Sequence, residues 1–244
     1  MNTSESLDRC FTFINCHLQI PKSAPAREKH AVKCITISRQ SGCGAHAFGE
    51  ELAAFLKGHL PHGAKPWTLF DRSLVDAVLE DHHLPMRLAR FMPEDRVLQL
   101  DDIIEDIFSL HPPTKTLVRQ TSETILRLAE LGSVIIVGRG ANIVTARLPG
   151  TLHVRLIASH ERRVANMQTF EKLAKKEALE RIAKEDRGRR RYVRTYFGMD
   201  IDDPLLYHLL INIDRITITN AVRMVGELAL NGEHPEKLKM PMAA

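Results

Sequence analysis

Residues 34–53 read CITISRQSGCGAHAFGEELA, and the order of their parts decides the fold. Cys34 to Ser38 is a short β-branched run. The glycine-containing loop Ser41-Gly42-Cys43-Gly44 follows, and Phe48, Leu52, Phe55 and Leu56 then recur at helical spacing. In a strand that feeds a glycine loop and then a helix, backbone N–H groups and the positive helix end can face a phosphate. The stretch departs from the full pattern G-x-x-x-x-G-K-[ST] at three positions. Arg39 stands at the first glycine, Ala45 at the lysine and His46 at the hydroxyl residue. A tight turn accounts for the same glycines equally well, because glycine at strand ends serves backbone needs.

Further strands and helices alternate outward from this unit. Trp67 to Phe70 reads as a second strand before Asp71, which can cap a helix carrying Leu74, Val75 and Val78. Pro85 to Leu131 shows only helical spacing and is expected as a helical insertion. Its acidic residues Asp101, Asp102, Glu105 and Asp106 are most simply a solvated face. Ser133 to Val137 (SVIIV), Leu152 to Ile157 and Leu209 to Ile213 are three more strands. Helices are expected from Ser159, from about Lys175 through an arginine cluster, and from near Thr217. The alternation predicts an α/β fold: a parallel sheet flanked by helices on both faces. Residues 33–230 form this domain, with a helical insertion at 85–131 and an arginine-rich region at 175–203. Ahead of it, Leu7, Cys10, Phe11, Ile14 and Leu18 place an N-terminal helix and linker in residues 1–32, and residues 231–244 are a tail.

Composition narrows the class. At 244 residues the chain can bury a full core. It carries no apolar run near the roughly 20 residues that span a bilayer, and Met1 to Asp8 lacks the features of a secretory signal. A soluble, cytoplasmic protein without a membrane partner is the expectation. Four cysteines, all within the first 43 positions and without zinc spacing, are expected as reduced thiols. The net charge of +4 does not demand nucleic acid, but the basic residues are unevenly placed.

Three groups add to the glycine loop. Gly138-Arg139-Gly140-Ala141-Asn142 follows the SVIIV strand and puts a guanidinium at the sheet's C-terminal edge, where ligands sit in open parallel sheets. An arginine there binds an anion, or else caps a helix or pairs with a carboxylate. The run Arg181, Lys184, Arg187, Arg189, Arg190, Arg191 and Arg194 follows, with Arg187, Arg190, Arg191 and Arg194 on one helical face. It reads as a phosphate clamp, a solvated face or a nucleic-acid patch. Asp71 either takes a hydroxyl or amino proton from a nucleoside or only caps its helix.

From Lys33 to about Val225 the chain resembles the cytidylate kinase-like family, a divergent branch of the P-loop kinases. The resemblance rests on ITISRQSGCGAHAFGEELA, LFDRSLV, VIIVGRGAN, HVRLIASHERRV and DRGRRRYVRTYFGMDIDDPLLYHLLINIDRITI, in that order. It implies a P-loop kinase-type sheet in which the loop residues Arg39, Ser41, Gly42, Cys43, Gly44, Ala45, His46 and Ala47 bind ATP. It implies that Asp71 and Arg139 meet the acceptor nucleotide and that Arg187, Arg189 and Arg194 belong to a closing lid supported by Tyr192. Members often have GSGGR at the loop; here Ala45 and His46 stand at its last two positions, so no permanent cation lies in the first helical turn.

The function so implied moves the ATP γ-phosphate to a nucleoside monophosphate, with cytidylate suggested by the resemblance alone. Phosphoryl transfer asks mainly for positioning and charge stabilisation, which the arginines can supply. ATP is the donor and Mg2+ is held mainly by the nucleotide; no metal-ligating residue set is expected. A catalytically inactive nucleotide-binding sensor or partner-binding protein is the alternative, motivated by the missing lysine and hydroxyl. In it the N-terminal helix offers a surface for partners or self-association, although packing on its own domain explains its apolar stripe better. Nucleic-acid binding is disfavoured, because aromatic residues are only 5% and no stacking platform is evident.

Overall fold

Successive side chains of a strand point to opposite faces, and in β1 (Cys34–Arg39) that alternation feeds two cores. The computed structural model describes residues 12–13, 32–60, 65–71, 88–89, 92–109 and 116–231. Beside β1 lie β2 (Thr68–Phe70), β3 (Val134–Val137), β4 (Thr151–Ile157) and β5 (Leu209–Asn212). They form one sheet in the order β2-β3-β1-β4-β5, every pairing parallel. All five predicted strands are present, each within a residue or so of its expected ends. The protein thus has an α/β fold, a five-stranded parallel sheet flanked by helices on both faces.

Ile35 and Ile37 of β1, with Ile135, Val137, Leu152, Val154 and Leu156, pack on α1 (Ala45–Gly58) and α7 (Ile218–Asn231). Phe48, Leu52 and Leu56 of α1 meet this face through i, i+4 and i+8 spacing, and Val222, Val225 and Ala229 of α7 join them. On the other face, Cys34, Val134 and Ile136 pack with α2 (Glu94–Ser109), α3 (Thr116–Leu131) and α4 (Ala141–Val144). The two long helices are the described part of the expected insertion. Val193 and Phe197, near the end of α6 (Lys175–Phe197), close that core. The short α5 (His160–Phe170), capped by the Ser159 hydroxyl, pairs with α6 through Val164, Met167, Ala178 and Ile182.

Within the expected N-terminal helix only Thr12 and Phe13 are described, both helical. Phe13 is buried edge-on against Phe70, so the segment packs on its own domain at this point. The helix expected after Asp71 lies outside the described residues. Cys34 and Cys43 are buried free thiols. No described helix is long and apolar enough to cross a membrane.

The polar side of β4 carries a pH-sensitive element. His153 is fully buried, its Nδ1 lies 2.8 Å from Thr36 Oγ1, and its ring stacks on His208. The His153 backbone N–H donates to His208 Nδ1. Burial, with the neighbouring His208 adding to it, pushes His153 down to about 3. Between about pH 6.5 and 3 the unfolded chain therefore binds a proton that the folded chain refuses. The stability is complete above the ordinary histidine pKa and is lost as pH falls below it, at about 1.4 kcal/mol per pH unit. Unfolding free energies from urea titrations at pH 7 and pH 5 should differ by about 2 kcal/mol more in the parent than in His153→Gln. An equal pH response in both proteins would remove His153 as the source.

Candidate functional site: an arginine-walled cleft

Ligands of open parallel sheets sit beyond the carboxyl ends of strands whose connections diverge. The chain leaves β1 toward α1 on one face and leaves β3 toward α4 on the other, and a cleft of about 540 Å3 opens between the two exits. Ser38, Arg39, Gly138, Arg139 and Asn142 line it from the strand ends, and Arg181, Glu185, Gly188, Arg189 and Tyr192 line it from α6.

Four guanidiniums thus wall one cleft with a single carboxylate, that of Glu185, among its lining residues. Arg39 lies deepest. Burial, together with the nearby Arg189 and Arg139 charges, pushes its guanidinium down to about 10, against Glu185 and Asp71. Room for it comes from Gly138: a Cβ there would fall on the Arg39 guanidinium, and Gly138 also holds φ +83°. Arg139 follows with φ +60° and Gly140 with +68°, three left-handed residues in succession. A left-handed non-glycine residue costs roughly 1–2 kcal/mol, and such strain collects where a side chain must be aimed. Burial, opposed by the Arg139 charge, pushes Tyr192 up to about 12, which keeps its phenol neutral.

The glycine loop is tied to α5 and α6. Its Ser41 N–H donates to Asp186 Oδ1 at 2.8 Å and its Ser41 hydroxyl to Glu185 Oε2 at 2.5 Å. Asp186 Oδ2 accepts from the buried Arg163, and Asn166 Nδ2 donates to the Gly42 carbonyl. Arg189 spans both carboxylates, at 3.0 Å to Asp186 and 2.8 Å to Glu185. Burial would raise Glu185, but hydrogen bonds from Ser41, Arg181 and Arg189 override it and hold the carboxyl down at about 2. A second tie anchors α6 to the sheet. Arg155, 3% exposed in β4, donates to Ser38 Oγ and Asp202, and Asp202 also accepts from Arg190.

A sequence profile described as the cytidylate kinase-like family matches residues 34–215. The chain belongs to that family. A crystal structure of an uncharacterized protein from Eubacterium ventriosum ATCC 27560 superposes with a TM-score of 0.55 at 21% identity, covering 81% of this chain and 97% of that one. A shikimate kinase structure from Bacteroides thetaiotaomicron gives a TM-score of 0.41 at 14% identity over 80% of this chain and 97% of its own. No curated protein matches the chain.

Within this cytidylate kinase-like frame the expected site residues separate into three places. Arg39, Arg139 and Arg189 meet in the cleft. His46 does not point there: its Nδ1 is 3.1 Å from Asp71 Oδ2, at the neighbouring strand end. Arg187 and Arg194 are exposed on α6 and do not line the cleft; Arg187 donates to its own helix, to the Ala183 carbonyl. The expected lid is an uninterrupted helix of 23 residues.

The loop residues also divide. Ala45 and Cys43 are buried in the core with α1, so the lysine position of the motif faces the protein interior. Gly42 packs on α5, since a Cβ would lie 2.6 Å from the Arg163 carbonyl oxygen. Its glycine is required by helix packing, whereas the expectation for it was close approach of a phosphate. Gly44, the exposed N-cap of α1 at φ +71°, would meet nothing within 4 Å, and Ala47 is exposed beside it.

Sequence reasoning placed Arg181 only within the arginine run and did not select Ser38, Glu185, Asp186 or Arg163 as site residues. The i, i+4, i+8 spacing of Arg181, Glu185 and Arg189 was the available signal for the inner face of α6. For magnesium the loop has no hydroxyl at position 46, where the imidazole faces Asp71 instead. Among the described residues no three His, Cys, Asp or Glu side chains converge on a metal-sized space. The carboxylates beside that imidazole are those of Asp71 and Glu50.

Proposed function

We propose that the protein is a nucleotide-binding phosphotransferase that accepts the terminal phosphoryl group of ATP onto a nucleoside monophosphate. The observation carrying this reading is the convergence of Arg39, Arg139, Arg181 and Arg189 on one cleft at the ends of β1 and β3. Guanidinium forks match phosphate oxygens in pairs, and a phosphate would supply the counter-charge that offsets the burial and the like charges lowering Arg39. Arg39 takes the part of the missing lysine, reaching the cleft from the first position of the loop. Arg139, aimed by its left-handed backbone, holds the acceptor phosphate, and Arg189 brings positive charge from α6. The α6 wall covers the reacting group and limits water. Membership of the cytidylate kinase-like family supports this assignment, and cytidylate is the first acceptor to test.

Incubation with Mg-ATP and each nucleoside monophosphate, with diphosphate product read by chromatography, tests the transfer. The second reading, a nucleotide-binding protein without transferase activity, is favoured by the inward-facing Ala45 and the His46–Asp71 contact. It predicts binding without product.

Arg139→Ala should weaken nucleoside monophosphate roughly tenfold or more while changing ATP affinity less, as removal of a charge-assisted hydrogen bond costs about 1.5–3 kcal/mol. Titration calorimetry with both ligands reads this, and equal losses would place Arg139 outside the acceptor side.

A further inference from the structure

Gly188 sits in the middle of α6, where glycine costs about 1 kcal/mol relative to alanine. No packing explains it: a Cβ at Gly188 would meet nothing within 4 Å. This distinguishes it from Gly42 and Gly138, where a side chain would collide with Arg163 or Arg39. Gly188 instead lines two spaces at once. On its inner side is the arginine-walled cleft; on its outer side is a groove of about 420 Å3 formed with Lys184, Arg187 and Arg191.

The groove differs in charge balance from the cleft. On the inner side Arg181 and Arg189 are each paired with Glu185. On the outer side, among the described residues, no carboxylate pairs with Lys184, Arg187 or Arg191, and all three are exposed. Three cations spread over eight residues cover roughly 10 Å of helix length at about 1.5 Å per step. Three cations at that spacing suit an extended anion with several charges better than a single phosphate.

We propose that the cleft and the outer groove form one continuous site, crossed over the bare backbone of Gly188, for a linear oligophosphate chain with one end among Arg39, Arg139 and Arg189 and the other along Lys184, Arg187 and Arg191. This rests on the cleft being a phosphate site. It adds that the phosphoryl chain of the ligand, a nucleoside polyphosphate or an inorganic oligophosphate, extends out of the cleft onto the outer face of α6. The lack of a side chain at position 188 is the gap through which the chain passes.

Titration calorimetry of the full-length protein with orthophosphate and tripolyphosphate tests this. The parent should bind tripolyphosphate at least roughly tenfold more tightly than orthophosphate, since each added charge-assisted contact is worth about that much. The double variant Arg187→Ala/Arg191→Ala should lose that advantage while keeping the orthophosphate affinity. Gly188→Leu, with a good helix former in an open position, should be as stable as the parent or more so, and should lose the same advantage because its side chain fills the gap. Repeating the comparison with ATP identifies the source: parallel losses mean a nucleotide's chain, and loss with tripolyphosphate alone means an inorganic one. An undiminished tripolyphosphate preference in both variants overturns the continuous site and leaves the cleft assignment standing. Absence of orthophosphate binding in the parent overturns both.

Discussion

Replacing Asp186 with alanine is expected to lower stability by about 3–5 kcal/mol, the usual cost of removing one partner from a buried ion pair. Arg163 is 9% exposed and, among the described residues, is paired with the Asp186 carboxylate alone, at 2.5 Å. The same carboxylate accepts the Ser41 N–H and holds Arg189. Its loss leaves a buried cation without a counterion, orphans a backbone donor in the glycine loop, and frees the cleft side of α6. The loss should be smaller in Arg163→Met/Asp186→Ala, where no charge is stranded. Urea unfolding of the three proteins reads the comparison. If Asp186→Ala loses less than about 1 kcal/mol, the value of a surface pair, the junction of loop, α5 and α6 is not held as described.

The two loop glycines should respond to alanine very differently. Both have left-handed backbones, at φ +84° for Gly42 and +71° for Gly44, so each alanine carries a conformational cost of roughly 1–2 kcal/mol. Gly44→Ala should stop there, because nothing lies within 4 Å of the new Cβ. Gly42→Ala adds a collision with the Arg163 carbonyl oxygen at 2.6 Å and with the Arg163 Cβ at 2.9 Å. Helix backbone cannot rotate away as a side-chain end can, and overpacking adds about 1–3 kcal/mol. A total loss of about 2–5 kcal/mol is expected for Gly42→Ala. Equal thermal midpoints for the two variants would contradict the packing of the loop on α5.

The sheet was legible because its strands are short, apolar and bounded by glycine or charge. SVIIV, for example, is a continuous apolar run bounded by glycine, as a strand buried on both faces should be. The crossing of α1 was equally legible in the spacing of Phe48, Leu52 and Leu56. Among the charges, Arg39, Arg139 and Arg189 could be selected because each lies at a strand end or in the arginine run. The face of α6 could not be assigned. The helical spacing groups Arg187, Arg191 and Arg194, but which side of the helix meets the sheet depends on Val193 and Phe197 entering a core built from α2, α3 and β3. That contact directs Arg181, Glu185 and Arg189 inward and Arg187 outward.

The carboxylate tie to the loop was hidden for a related reason. Asp186 meets Ser41 across 145 residues of sequence, and only the packing of α5 against α6 brings them together. His46 was a candidate cation by position alone, and its partner Asp71 arrives from a different strand.

The most direct measurement of the cleft's role is titration of the parent and Arg39→Met with ATP, alongside urea unfolding of both. Arg39 is a desolvated cation among like charges, so a neutral side chain of similar length should not reduce stability. Loss of this guanidinium should nevertheless weaken ATP binding roughly tenfold or more. The expected result is a stable Arg39→Met protein that binds ATP poorly. Unchanged affinity in a folded Arg39→Met protein would contradict the assignment of this cleft as the nucleotide phosphate site.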